Sequence, residues 1–153
     1  MNDYSLEHVL SFTGIGETAP EAIGAVPEGI RVNFYNAGGT VSGPRIRGKV
    51  RPVGGDWLTV RKDGVALVDV RVTFETDDGA LILVTYGGTI DFGPSAYEGF
   101  ARDEIPAVAR IRTAPRFSTA DPDYAWLNRL HCIGVGEYRA STRTASYDVY
   151  AVR

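Results

Sequence analysis

The most regular pattern in the chain is the run VALVDVRVTFET at 65–76. Ala66, Val68, Val70, Val72 and Phe74 make one face, and Leu67, Asp69, Arg71, Thr73 and Glu75 make the other. Strict alternation of this kind predicts a β-strand with two chemically different faces. Asp77-Asp78-Gly79 follows, and then a second apolar run at 80–87. An Asp-Gly pair between two such runs predicts a hairpin. With Asp78-Gly79 as a two-residue turn, Arg71 faces Tyr86, and Asp69, Arg71 and Tyr86 share one face within cross-strand reach. A slip of one residue would carry Tyr86 to the opposite face.

Weaker patterns predict further strands over 6–13, 29–35, 40–53, 57–62, 107–113, 130–138 and 145–152. The segment 14–28 reads as a Gly/Pro-rich connection with a helical turn at 20–23, and 93–106 shows no clear period. Asp121-Pro122 has the form of a helix start, an N-cap followed by proline, with helical turns running to Asn128. Many short strands separated by turn residues predict an all-β fold. The expectation is a single closed or nearly closed antiparallel β-barrel over 1–153, with at most one or two short helical turns.

Composition narrows the picture. At 153 residues and 44% apolar content, the chain suits one domain. A chain of this size buries roughly 68–70% of its unfolded surface, enough for a core without disulfides or a metal. Cys132 is the only cysteine, so no disulfide framework exists, and it reads as a small buried residue. A net charge of −3 argues against nucleic acid as a partner. No long uncharged apolar run argues for a membrane span, and the polar start does not resemble a secretory signal, so a cytoplasmic location is the default expectation.

Several motifs fail on context. Gly14-Ile15-Gly16-Glu17-Thr18-Ala19 matches a dinucleotide fingerprint, but Pro20, Gly24 and Pro27 leave no helix to receive a pyrophosphate. His8 and His131 lack metal-ligand spacing, and Asp77-Asp78 is explained by turn chemistry, so no metal site is expected. Tyr138, Tyr147 and Tyr150 read as barrel packing rather than a stacking surface.

Three polar groups in otherwise buriable segments remain. Asp69 and Arg71 interrupt an apolar strand, either facing solvent or lining a lumen with Tyr86. Gly54-Gly55-Asp56-Trp57 leads to Arg61. Its glycines permit close backbone approach, and Asp56 is either a turn cap or a carboxylate at a pocket mouth. Tyr124-Ala125-Trp126-Leu127-Asn128 combines aromatic groups that plug or cover the barrel with an amide that orients a ligand or serves local backbone.

The chain also carries Gly29-Ile30-Arg31, the run from Gly38 to Gly48, Gly55-Asp56-Trp57, Arg61-Lys62-Asp63-Gly64, Asp69-Val70-Arg71, Thr76-Asp77-Asp78-Gly79, Tyr124-Ala125-Trp126-Leu127-Asn128 and Tyr147-Asp148-Val149-Tyr150. In this order they resemble the domain of unknown function 3237 family, also called uncharacterised-protein family 0311. The likeness spans nearly the whole chain. It departs at Pro52-Val53-Gly54-Gly55, where many members place the glycine pair differently. The resemblance implies a small β-barrel and a shared site at Asp56, Trp57, Asp69, Arg71, Trp126 and Asn128.

Three function classes follow. The first is a cofactor-independent acid–base enzyme of isomerase, lyase/hydratase or cyclase type, acting on a small carbonyl-containing or aromatic substrate in the lumen. Asp56 is the preferred base, its pKa raised by burial, and Asp69 orients Arg71. Arg71, Tyr86 and Asn128 stabilise an oxyanion, while Trp57, Trp126 and Arg61 contact the ligand. The second is a non-catalytic binding protein for a small acidic or phenolic ligand, with Arg71 as counter-ion. The third is an interaction module whose interior is filled by side chains. A polar lumen would leave the Val68/Val70/Val72/Phe74 face to be covered from outside, by loops, a helix or a second copy in a homo-oligomer.

Overall fold

The computed structural model describes residues 2–17 and 19–153. Nine strands are present among them: β1 (Leu6–Gly16), β2 (Glu21–Val26), β3 (Gly29–Gly43), β4 (Ile46–Val60), β5 (Val65–Thr76), β6 (Leu81–Asp91), β7 (Val108–Ser118), β8 (Cys132–Arg139) and β9 (Thr144–Val152). A single helical turn, α1 (Ala96–Phe100), lies between β6 and β7, and a 3-10 turn, Ala125–Arg129, lies between β7 and β8. The strands hydrogen-bond in the order β1-β9-β8-β7-β6-β5-β4-β3-β2, and an added β1–β3 pairing closes the ring. The result is a closed eight-stranded antiparallel barrel with β2 as an appendage. All pairings are antiparallel.

One edge of β3 serves two partners in succession. Asn33 pairs with Glu21 of β2, whereas Asn36 to Ser42 pair with β1. The expected loop at 14–28 therefore contains the end of β1 and a strand, not a helical turn at 20–23. The free edge of β3 supplies a ladder that a short Gly/Pro-rich segment cannot signal by its own pattern. The seam is tight at Gly39, where φ is +154° and a Cβ would stand 1.8 Å from the Thr13 carbonyl oxygen. Only glycine closes the barrel there.

Strands β3 and β4 are longer than the sequence pattern suggests. The chain turns at Gly43–Ile46, and β4 then runs unbroken through Gly54-Gly55 and Trp57. The predicted strands 40–53 and 57–62 thus merge in part. Ladder irregularities between Tyr35 and Gly39 and between Val50 and Gly54 bend the two strands. Asn36 ties the bends together by donating Nδ2–H to the Arg51 carbonyl.

The β5–β6 register differs from the expected one by one residue. Arg71 pairs with Thr85, Val70 with Tyr86 and Glu75 with Leu81. The turn has three residues, Asp77-Asp78-Gly79, with Gly79 at φ +93°. Thr76 closes it: its amide donates to the Ala80 carbonyl (3.0 Å), and the Ala80 amide donates to Thr76 Oγ1 (2.8 Å). The slip moves Tyr86 off the Asp69/Arg71 face and onto the Val70/Val72 face.

That apolar face points inward. Val68, Val70, Val72, Phe74 and Tyr86 are all buried. No external cover for them is needed, because the closed sheet provides it. Asp69 and Arg71 lie on the outer wall. At one end the barrel is packed solid, with Phe74, Leu10, Ile82 and Val149 fully buried and Leu127 of the 3-10 turn inserted as a plug. Toward the other end, where β1, β8 and the α1 connection meet, side chains leave a cavity. Among the described residues no helix is long and apolar enough to cross a membrane, and no cluster of His, Cys, Asp and Glu is placed to hold a metal ion.

Candidate functional site

The cavity has a volume of about 310 Å³, near ten times the share of one liquid water molecule. Its walls are mostly apolar, with Phe12, Leu58, Val70, Val72, Ile90 and Ile111 contributing. A few polar groups converge on it: Asp56, Asn36, Tyr86, Tyr138 and Tyr147. An apolar cleft with a small number of directed polar groups is the usual form of a small-molecule site.

Asp56 reaches the lumen through local backbone geometry. Gly54 sits at φ +84°, and a Cβ on it would lie 2.0 Å from the Arg71 carbonyl oxygen. A Cβ on Gly55 would lie 2.4 Å from the carbonyl oxygen of Phe34. The two glycines let β4 press against both neighbours as it leaves its bend, and alternation then turns Asp56 inward and Trp57 outward. The carboxylate accepts a 2.9 Å hydrogen bond from the Asp69 backbone N–H at Oδ1. Burial is the main influence on its acidity. It pushes the pKa up to about 7, against the lowering effect of the Asp69 amide and with a smaller push from the Asp69 charge.

Tyr86 and Tyr147 face each other across the cavity wall, ring centroids 5.5 Å apart, edge to face. Tyr147 also stacks on Phe12 at 4.5 Å, so its ring is held on two sides. The two phenols lie near enough for each to influence the other's acidity. Burial holds both phenols above their ordinary range, and the Asp56 charge adds to this in each. Both are therefore neutral hydrogen-bond donors at any physiological pH.

Of the eight residues singled out by sequence, the structure brings Asp56 and Tyr86 together at the lumen. Asp69 and Arg71 form a 3.0 Å ion pair on the outer wall, with side chains 59% and 56% exposed. Arg71 lies over the outward-facing Trp57, 5.6 Å from the ring centroid. Arg61 is ion-paired with Asp63 in the β4–β5 turn. Trp126 sits at the plugged end beneath the Arg45 guanidinium, 4.1 Å away. Asn128 holds the Thr119 backbone, accepting from its N–H and donating to its carbonyl, each at 2.9 Å. None of these six lines the cavity, because each follows from strand parity or end position that the expected register reversed or left open.

Tyr147, Asn36, Tyr138 and Arg143 line the cavity and were not singled out as site residues. The alternation Ala145, Tyr147, Val149, Ala151 marked one face of β9 as inward, which was the available signal for Tyr147. One further polar cluster lies outside the lumen. His8 Nε2 approaches Ser11 Oγ at 3.0 Å, and that hydroxyl donates to Asp148 at 2.6 Å. With its proton directed to the carboxylate rather than the imidazole, this is not the arrangement of an activated serine.

The chain matches the family described as "Protein of unknown function (DUF3237)" over residues 4–152. It belongs to that family. The UPF0311 protein RPA1785 of Rhodopseudomonas palustris is 37% identical over 114 residues, covering 72% of this chain and 74% of that protein. The crystal structure of RPA1785, a conserved protein of unknown function, superposes with a TM-score of 0.85 at 29% identity over the full length of both chains. A β-barrel-like protein from Acinetobacter baumannii gives a TM-score of 0.84 at 27% identity, covering 100% of this chain and 98% of its own. An enzyme from Penicillium herquei shares the fold, with a TM-score of 0.68 at 20% identity over 97% of this chain and 96% of its own.

Proposed function

We propose that this DUF3237 barrel binds a small carbonyl-containing or aromatic molecule in its lumen and performs cofactor-independent proton transfer on it. One observation carries the reading: a half-buried carboxylate with a pKa of about 7 shares an apolar cavity with two neutral phenols. A base titrating near neutrality is both sufficiently deprotonated and sufficiently basic to remove a proton next to a carbonyl. The neutral Tyr147 hydroxyl, on the cavity wall beside the Tyr86 ring, donates to the oxygen on which charge develops. Asp56, once protonated, returns the proton to a different atom for isomerisation, or to a leaving group for elimination. Cyclisation needs the same two functions. Asp69, Arg71, Trp57, Arg61, Trp126 and Asn128 have no part in this reading.

The Penicillium herquei likeness supports only that a barrel of this shape accommodates catalysis. The second reading is a binding protein without turnover, favoured by the apolar lining of most of the cavity. The two are separated by proton exchange. Small ketones, enones and aryl carbonyls are incubated with the protein in D2O, and deuterium incorporation is followed by NMR. Incorporation that requires the protein and is lost in Asp56→Asn supports proton transfer. Saturable binding with no incorporation across the panel favours the binding protein.

A further inference from the structure

The β8–β9 hairpin closes with Arg143 in the left-handed region, at φ 51°. Its amide donates to the Ala140 carbonyl (3.2 Å), and its own carbonyl accepts from the Gly16 amide (2.9 Å). The β5–β6 turn meets the same left-handed requirement with Gly79. Left-handed backbone disfavours a side chain, so an arginine there is held at a conformational cost that glycine would avoid. Arg143 lines the cavity mouth. Gly16 presses close beside it, for a Cβ on Gly16 would lie 3.5 Å from the Arg143 carbonyl oxygen and 3.8 Å from its Cβ. The anchor point of the guanidinium is therefore fixed from two strands.

Seven ion pairs occur among the described residues, and Arg143 is in none of them. Glu17, also at the mouth, lies toward Tyr35, whose phenol senses its charge. Arg143 lies toward Tyr138, a cavity-lining phenol whose pKa it acts to lower against a larger rise from burial. The mouth thus carries a cation on the Tyr138 side, above an apolar shaft that leads to Asp56.

We propose that Arg143 is the specificity-determining residue of this site and takes the carboxylate of a small hydrophobic acid whose apolar body fills the lumen. This deepens the proposed function and rests on its placement of the ligand in the lumen. The carboxylate remains at the wet rim, where it need not be desolvated, while a carbonyl or unsaturated carbon further along the ligand reaches Asp56 and Tyr147. An arginine suits this role because its planar fork matches a carboxylate bidentately.

The test uses trans-cinnamate and its neutral isostere trans-cinnamamide, with 4-phenylbutyrate and 4-phenylbutanamide as a second pair. Binding to wild type, Arg143→Gln, Arg143→Lys and Val72→Trp is measured by calorimetry and ligand-observed NMR. Wild type is expected to bind an acid about tenfold or more tightly than its amide, the scale of a charge-assisted hydrogen bond. Arg143→Gln should abolish this preference while leaving amide binding unchanged, and Arg143→Lys should retain part of it. Equal binding of acid and amide, a preference that survives Arg143→Gln, or no binding of either acid overturns the inference. Val72→Trp, which fills the lumen, separates the two levels. If acid binding persists in it, the ligand sits outside the barrel and the lumen reading fails, whatever Arg143 does. If acid and amide binding both vanish in it but wild type shows no acid preference, the lumen stands and only Arg143 is misassigned.

Discussion

The backbone amide of Asp69 donates a 2.9 Å hydrogen bond to Oδ1 of Asp56, while the Asp69 carboxylate pairs with Arg71 on the other side of the sheet. Two aspartates on neighbouring strands thus meet opposite environments. One is solvated and ion-paired, and the other is confined in the lumen with a raised pKa.

The raised pKa of Asp56 has a stability consequence with a definite sign. The native state holds the proton more tightly than the unfolded chain, so stability falls as pH rises from about 4 to about 7. The full loss by linkage is about 4 kcal/mol, as an upper figure. Asp56→Asn, which mimics the protonated form, should match wild type near pH 4 and exceed it in stability at pH 8. Urea unfolding at several pH values checks this. A wild-type profile as flat as that of the variant would show that Asp56 is not held with a raised pKa. For proton transfer, the rate should rise with pH through about 7 as Asp56 ionises.

The Asp69–Arg71 pair predicts the opposite kind of result. Both side chains are more than half exposed, and an exposed pair contributes about 0–1 kcal/mol. Asp69→Asn and Arg71→Gln should change stability by less than about 1 kcal/mol and leave ligand affinity in the lumen unaltered. A variant at either position that abolishes binding would mean that the outer wall, not the lumen, carries the site.

Tyr147 and Tyr86 are expected to differ. Removing an oxyanion donor typically costs about 10²–10³ in rate, so Tyr147→Phe should lower protein-dependent deuterium exchange on that scale. Tyr86→Phe keeps its ring against Tyr147 and removes a hydroxyl that is not the proposed oxyanion donor, so it should have a smaller effect. Equal, negligible losses in both would remove the phenols from the mechanism while leaving Asp56 in place.

Closure of the barrel depends on Gly39. Replacing it by alanine forces a Cβ against the Thr13 carbonyl at the β1–β3 seam. Gly39→Ala should destabilise by about 2 kcal/mol or more, through backbone displacement and strained φ. Amide exchange should show the loss first in the β1–β3 ladder. By contrast, Gly24→Ala meets no atom within 4 Å of the new Cβ, so it bears only the cost of its φ of +97°. If Gly39→Ala costs no more than Gly24→Ala, the seam is not as tight as its geometry indicates.

The barrel class, the two faces of β5, the placement of Leu127 near a plugged end and the candidacy of Asp56 were all legible along the chain. They rest on local rules. Alternation makes two faces, and a glycine pair marks close backbone approach beside the carboxylate that follows it. The 3-10 turn after Asp121-Pro122 was legible for the same reason, and Asn128 within it holds the Thr119 backbone.

What the tertiary structure decided was which face is the inside and which side chains share it. Alternation defines two faces of a strand without saying which one a closed sheet encloses. Asp77-Asp78-Gly79 permits a turn of two residues or three, and this choice alone moves Tyr86 between the faces. The three-residue turn is held by the Thr76 hydroxyl, and the resulting slip allows a large aromatic ring to be buried beside Tyr147 and Phe12. Tyr147 of β9 and Arg143 of the β8–β9 turn reach the cavity from segments far from Asp56 in sequence, brought there by ring closure. A local pattern specifies local geometry, but a site inside a barrel is assembled from pairings between distant strands, which only the closed sheet defines.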